Sequence, residues 1–231
     1  MNFYYDGISC ADFGIFVEHR PTQTFPKRII ESISIPGRNG NLLFDTGAYD
    51  NVTVTYQVAY RGNVRFSGVQ IATWLYKNEY LELSDDYEQE YFRKAVYVSP
   101  LNIADILNVA GRANVTFSCL PQRFLKTGKQ EMSPSNNSTI TNFYQDAKPL
   151  LTVNGTGSGT VTIGNATVTI SNIGTTMLID CEAQNATING VNANDKISLN
   201  AGFPVLLNGS NTISWTGGVS SVKVVPNWWT L

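Results

Sequence analysis

The sequence predicts a mainly β protein with one helix, and three observations carry that reading. Asn51 through Tyr60 alternates strictly, which places Val52, Val54, Tyr56 and Val58 on one face of a half-buried strand. Dipeptides such as Asp6-Gly7, Asn39-Gly40, Asn189-Gly190 and Gly217-Gly218 punctuate runs of β-branched residues, as turns do between strands. Helical spacing is clear in one stretch only, Ser67 to Asn78. At 231 residues the chain is long enough for one large β domain or two ordinary ones.

The elements follow in order. Phe3 to Ser9 reads as a strand and a turn at Asp6-Gly7, and Ala11 to Glu18 as a second strand. Pro21 and Pro26 break regular structure before Arg28 to Ile35. In the helical stretch Ser67 is the expected N-cap. Val69, Ala72, Leu75 and Tyr76, flanked by Ile71 and Trp74, form its apolar face, the expectation being a core-packing helix. The acidic run Asp85 to Glu90 lacks the glycine and spacing of a calcium loop, so it is expected at a solvated hairpin tip between Tyr80–Leu83 and Tyr91–Val98. Asn114 to Leu120 is a further strand, ended by Pro121.

The stretch Ile33-Ser34-Ile35-Pro36-Gly37-Arg38-Asn39-Gly40-Asn41-Leu42 joins two strand-like runs. Ile33 and Ile35 can share one buried face, Pro36 cannot donate to a ladder, and Gly37, Asn39 and Gly40 permit positive φ. Arg38, the one charge in the loop, should point outward. The expectation is a shaped polar protrusion on a β framework; an ordinary hairpin loop has the same local chemistry.

Composition changes near Ser133-Pro134-Ser135-Asn136-Asn137-Ser138. Beyond it the only charges are Asp146, Lys148, Asp180, Glu182, Asp195, Lys196 and Lys223, and Thr, Asn, Gly and Ser dominate. This places a boundary between domains 1–135 and 136–231. The second part reads as about eight short strands of an antiparallel sandwich, with Asn154 to Gly159 as a flexible hairpin loop. That glycine run lacks the Gly-Lys-Ser/Thr of a phosphate loop.

Candidate chemistry is sparse. A formal net charge of −2 leaves no nucleic-acid footprint, and no stretch approaches a membrane span. The N-terminus carries no basic residue before an apolar run, unlike a secretory signal. Cys10, Cys119 and Cys181 lie far apart and are expected to be buried free thiols. His19 is the single histidine and has no nucleophile motif beside it, so it reads as a surface or interface residue. Asn51, Asn165 and Asn185 each begin an Asn-x-Thr triplet, which the high Asn and Thr content explains. Phe203, Trp215, Trp228 and Trp229 could stack on sugar rings or simply be buried at strand ends. No enzyme signature, cofactor motif or metal-ligand spacing is present.

Taken together, the pieces resemble the distal tail protein family of non-contractile long-tailed bacteriophages of Gram-positive hosts. In the first domain the resemblance rests on Asp12-Phe13-Gly14-Ile15, on Ile33 to Leu42, and on Phe117-Ser118-Cys119-Leu120-Pro121. In the second it rests on Pro149 to Gly155, Leu178-Ile179-Asp180-Cys181-Glu182, Phe203 to Ile213 and Pro226 to Leu231. Asn39 stands where such loops often carry Asp, and Asn227 where a basic residue is common.

The resemblance implies an N-terminal β-sandwich with a helix and a hairpin, and a C-terminal galectin-like antiparallel β-sandwich. It implies a non-enzymatic virion protein at the distal end of the phage tail, made in the host cytoplasm. Its implied form is a homo-hexameric hub ring joining the tail tube to the baseplate or tail-tip adsorption apparatus. The implied partners are the major tail tube protein, a tail-tip lysin-like protein and a receptor-binding protein, with DNA only passing through the lumen and no membrane contact. Pro36, Gly37, Arg38, Asn39, Gly40 and Asn41 are then expected at a ring interface or lumen surface. The alternative is a carbohydrate-binding module that contacts the host wall directly.

Overall fold

The computed structural model describes residues 1–61, 64–100, 104–106 and 110–231, and no side chain within 64–67 or 104–106. The chain is mainly β and divides into two compact units, Met1–Arg123 with Leu231, and Phe124–Thr230. The division falls upstream of the composition shift expected at 135/136. Residues between the two points are tied into the second unit: the Leu125 amide donates to the Trp228 carbonyl at 2.9 Å, and Met132 bridges Val224.

The first unit contains β1 (Phe3–Tyr5), β2 (Ile8–Ser9), β3 (Ile15–His19), β4 (Arg28–Ile33), β5 (Leu42–Tyr49), β6 (Val52–Arg61) and helix α1 (Val64–Leu75). It continues with β7 (Leu81–Asp85), β8 (Tyr91–Tyr97), β9 (Ala104–Ile106) and β10 (Ala110–Leu125), the last two residues of which belong to the second unit. The main sheet has the order β2-β1-β7-β8-β10-β6-β3, with β9 also on β10. β1 and β6 lie four places apart, about 19 Å at 4.8 Å per strand in a flat sheet. Yet the rings of Phe3 and Tyr56 stack at 4.7 Å. The sheet therefore rolls until its two ends face each other across an aromatic core of Phe3, Tyr5, Tyr56 and Phe117. The alternation along β6 performs as read: Val52, Tyr56 and Val58 are buried and Val54 packs against the core.

Three sequence expectations in this unit are corrected. Ala11 to Glu18 is not one strand. Cys10–Phe13 forms a 3-10 turn, with Ser9 Oγ accepting from the Ala11 amide at 3.3 Å, and the strand starts only at Ile15. Gly14 closes that turn at φ +70, and a Cβ there would meet the Arg61 carbonyl oxygen at 2.6 Å. The helix begins at Val64, upstream of the N-cap expected at Ser67, whose side chain lies outside the described residues. Its buried face is Ile71, Trp74 and Leu75, while Val69 is 71% exposed and Tyr76 is also exposed. Trp74 sets this phase: it stacks on Phe3 and Phe13 and donates Nε1–H to the Tyr5 carbonyl at 3.0 Å. Finally, Pro121 does not end β10. The ladder to β6 stops at Cys119, so no hydrogen bond to that strand is lost at the proline.

The second unit contains β11 (Ser138–Asn142), β12 (Leu150–Ile163), β13 (Ala166–Ile170), β14 (Thr176–Asp180), β15 (Asn185–Ile188), β16 (Val191–Asn192), β17 (Ile197–Leu199), β18 (Gly209–Val225) and β19 (Trp229–Thr230). β12 and β18 are long, and each serves two layers. The first half of β12 pairs with β14, which continues to β15 and β16, while its second half pairs with β13, which continues to β17. β18 flanks β12 along both halves, and β11 pairs with its beginning. Bulges between Asn154 and Gly159 let β12 pass from one layer to the other.

The glycine run is therefore a bend within a strand, not the flexible loop expected. Likewise Gly217-Gly218 is no turn but the matching irregularity in β18. The backbones approach so closely that a Cβ on Gly218 would lie 1.8 Å from the Thr156 carbonyl oxygen. Phe203 to Leu207 contributes one bridge, Leu206 to Ala147, instead of a strand. The abundant threonines pair across the exposed ladder, with Thr160 and Thr216 at 2.7 Å and Thr162 and Thr167 at 3.0 Å.

Candidate functional site: an exposed hairpin arm

Among the described residues β4 and β5 pair only with each other, as a two-stranded antiparallel sheet apart from the main one. The Asp50 amide donates to the Lys27 carbonyl at 2.8 Å and closes the base. Residues 34–41 form the tip. All of Arg28 to Ala48 is exposed except for its contacts within the arm, and six residues of strand give an arm of about 20 Å.

The register sorts the side chains. Ile33 pairs with Leu42 and Glu31 with Phe44 on one face; Ser32 pairs with Leu43 and Ile30 with Asp45 on the other. Leu43 is 66% exposed and Phe44 57%, and Ile29, Ile30, Ile33, Ile35 and Leu42 are exposed as well. The shared buried face expected of Ile33 and Ile35 is thus absent: nothing in the described chain covers them. The arm's polar groups serve its own shape. Arg28 pairs with Asp45, Asn41 Nδ2 donates to Ser32 Oγ at 2.8 Å, and Thr46 Oγ1 donates to the Ile29 carbonyl at 2.8 Å.

At the tip the Arg38 amide donates to the Ile35 carbonyl at 3.2 Å, and Gly37 and Gly40 hold φ of +81 and +80. Pro36, Gly37, Arg38, Asn39, Gly40 and Asn41 are all exposed. None of them lines the cavity bounded by residues 20–24, Tyr56 and Arg93, or the shallower ones beside His19 and Glu90. The arrangement is physically adhesive. An isolated two-stranded hairpin is marginal in water, and its bare edges and apolar side chains are a template for another chain.

Comparison with known proteins bears on what that other chain is. Residues 127–228 match the sequence model of the SPP1 Dit family, described as the C-terminal domain of siphovirus-type tail components. The matched residues all lie in the second unit, which is thus similar in sequence to that domain of siphovirus-type tail components. The chain's fold is similar over the whole length to the crystal structure of the Dit protein of phage SPP1, described as a paradigm of the hub adsorption apparatus in phages that infect Gram-positive hosts. The TM-score is 0.77 at 12% identity, covering 100% of this chain and 99% of that one. A search of curated protein sequences finds no significant match.

The motifs that carry the resemblance have structural roles in this chain. In Leu178 to Glu182, Asp180 Oδ1 accepts the amides of Glu182 and Ala183 at 2.9 Å, and Cys181 is buried. In Phe203 to Ile213 the decisive residue is Asn211, one that sequence reading passed over. It is 3% exposed; its Oδ1 accepts the Leu207 amide at 2.9 Å and its Nδ2 donates to the carbonyls of Leu207 and Gly209 at 2.8 and 3.1 Å. Asn142 is its counterpart, donating to the Gln145 and Leu206 carbonyls at 2.9 Å each. Asn227, the departure noted above, adopts φ +56 and donates to the Lys148 carbonyl at 3.0 Å.

The remaining candidates do not converge. Trp228 is buried and Trp229 donates Nε1–H to the Asp146 carbonyl at 2.9 Å, whereas Trp215 is held by Asn136. All three cysteines are buried and free, and burial pushes the Cys119 and Cys181 thiols up to about 12. The acidic run does form the β7–β8 tip, but its first members are structural: Asp86 accepts from the Asn2 amide at 2.8 Å and Tyr4 Oη at 3.0 Å. His19 pairs through its backbone with Gln57, at a register shift in β3. Among the described residues no helix is long and apolar enough to cross a membrane.

Proposed function

We propose that this chain is the structural hub of a siphophage tail tip, a ring of six copies that joins the tail tube to the host-adsorption apparatus. The exposed apolar arm carries the reading. A ring needs one head-to-tail contact repeated with a fixed rotation. An arm with two free edges and uncovered Ile, Leu and Phe side chains supplies half of such a contact, and the neighbouring copy supplies the rest. Pro36 to Asn41 then lies at a subunit or lumen surface. The mixed charges of the first unit suit a channel that DNA traverses without being held. The tube protein binds one end of the ring, a lysin-like tip protein the other, and receptor-binding proteins its rim. The low-charge second unit, galectin-like on this reading, faces outward. The role is scaffolding, without catalysis.

Native mass spectrometry of the purified protein, alone and with the tube protein of the same phage, tests the proposal. A six-copy species is expected. A chain that stays monomeric at high concentration under both conditions would overturn it.

A further inference from the structure

The first unit holds a cavity that the hub reading does not use. Its volume is about 50 Å³, and its walls are the loop 20–24, Tyr56, and residues of β7, β8 and their connection. One water-sized sphere takes roughly 10–15 Å³ of such space, so the cavity admits a group of about three to five heavy atoms.

Arg93 on β8 lines this space, and its Nη1 is buried with no hydrogen-bond partner among the described residues. The carboxylates nearby are already engaged. Asp85 accepts from Tyr56 Oη and from the amides of Tyr87 and Glu88, all at 2.9 Å. Glu88 accepts from Arg123 Nη1 at 3.1 Å, and that guanidinium lies 4.4 Å over the Tyr91 ring. The Nε of Arg123 is also buried and without a hydrogen-bond partner among the described residues. Burial raises Tyr56 well above its ordinary value and pushes Cys119 up to about 12, so neither supplies a negative charge. Burial, with the neighbouring Arg123 cation, lowers Arg93 from its usual value, and the Glu88 carboxylate offsets this only in part. A buried cation is costly unless something pairs with it.

We propose that this cavity is a binding site for one oxyanion group, a carboxylate, sulfate or phosphate, with Arg93 as its principal donor. Arg20, 5.2 Å over the Tyr87 ring on the loop that forms one wall, adds positive charge. That loop runs on into β4, so occupancy bears on the root of the arm. The site stands on its own geometry whether or not the arm joins subunits.

The test is calorimetric titration of the full chain with sodium sulfate, phosphate and acetate, against chloride at matched ionic strength, for wild type, Arg93→Met and Arg93→Gln. Wild type should bind at least one oxyanion saturably, and both variants should bind it at least about tenfold more weakly, the loss expected for a charge-assisted hydrogen bond. Binding of sulfate or phosphate without acetate assigns the site to a free inorganic anion; acetate binding assigns it to the carboxylate of an acidic side chain. The Arg93 side-chain resonances of wild type, followed by NMR in the same titrations, should move with the same saturation and cover the case of a variant that does not fold. Absence of saturable binding by all three anions, unmoved Arg93 resonances, or equal binding by the variants would overturn the proposal.

Discussion

The bend that lets β12 and β18 serve two layers makes a sharp demand at Gly218. A Cβ there would lie 1.8 Å from the Thr156 carbonyl oxygen, 3.0 Å from its carbon and 3.1 Å from the Ser158 carbonyl oxygen. Comfortable C···O contacts begin near 3.3 Å, so in Gly218→Ala the two strands must part by about 1.5 Å. The colliding atom is main chain within a paired ladder and cannot swing away as a side-chain tip would. Overpacking costs 1–3 kcal/mol and occasionally more, which puts this variant at about 3 kcal/mol or above. For a domain of this size that is a fall in Tm of more than about 12 °C. The control is Gly164→Ala. Gly164 has positive φ, +57, which Gly218 does not, and nothing lies within 4 Å of its Cβ position, so there only the left-handed backbone penalty of about 1 kcal/mol applies. Urea unfolding of both variants, followed by tryptophan fluorescence and circular dichroism, separates the two costs. If Gly218→Ala loses no more than Gly164→Ala, the two strands do not approach as described and the account of the bend fails.

Other predictions follow from the arm, the buried asparagines and the thiols. Leu43→Ser with Phe44→Ser should leave the unfolding of the isolated chain within about 0.5 kcal/mol of wild type, since both side chains are exposed. Burying such side chains yields about 1.5–3 kcal/mol each, scaled down by the part already covered, so the double variant should weaken self-association by roughly thirtyfold to several hundredfold in sedimentation velocity. Gly37→Val meets no neighbour but must adopt φ +81, so the tip should distort and assembly weaken while the monomer melts normally. Asn211→Ala removes a buried side chain that accepts the Leu207 amide and donates to the Leu207 and Gly209 carbonyls, and should cost about 1–3 kcal/mol by chemical denaturation. Burial raises Cys119 and Cys181 from 9.0 to about 12, so folding favours the neutral thiols. Their contribution is complete below pH 9 and fades by up to about 1.4 kcal/mol per thiol per pH unit as pH rises towards 12; a pH series of urea melts reads the slope.

Much of the fold was legible in the residues, and the losses have physical causes. Strict alternation along β6 and the turn pairs at Asp6-Gly7 and Asn189-Gly190 are local signals, and the backbone keeps them, with positive φ at all four turn residues. The glycines at 155–159 and 217–218 carry the same local signal as a turn. Their meaning depends on a partner strand some sixty residues away, which no local window contains. The helix phase failed for a similar reason: Val69 and Tyr76 are apolar by type, but Trp74 has the stacking partners that set the phase. Asn142 and Asn211 look like any of the many asparagines, and only burial marks them. At the arm's tip, the turn and the exposed Arg38 were readable from Pro36, Gly37 and Gly40. The bareness of Ile33 and Ile35 was not, because an apolar residue in a strand normally signals a core, and here no described residue covers them.

The central claim, that the chain is a tail-tip hub whose arm joins neighbouring copies, is tested most directly by cryo-electron microscopy of the tail of the phage that encodes it. The account predicts a six-copy ring at the distal end of the tube, with Ile33, Leu43 and Phe44 of each copy buried against the next and Pro36 to Asn41 at a subunit or lumen surface. A chain found as separate copies at the periphery, or a ring in which the arms remain in solvent, would contradict it.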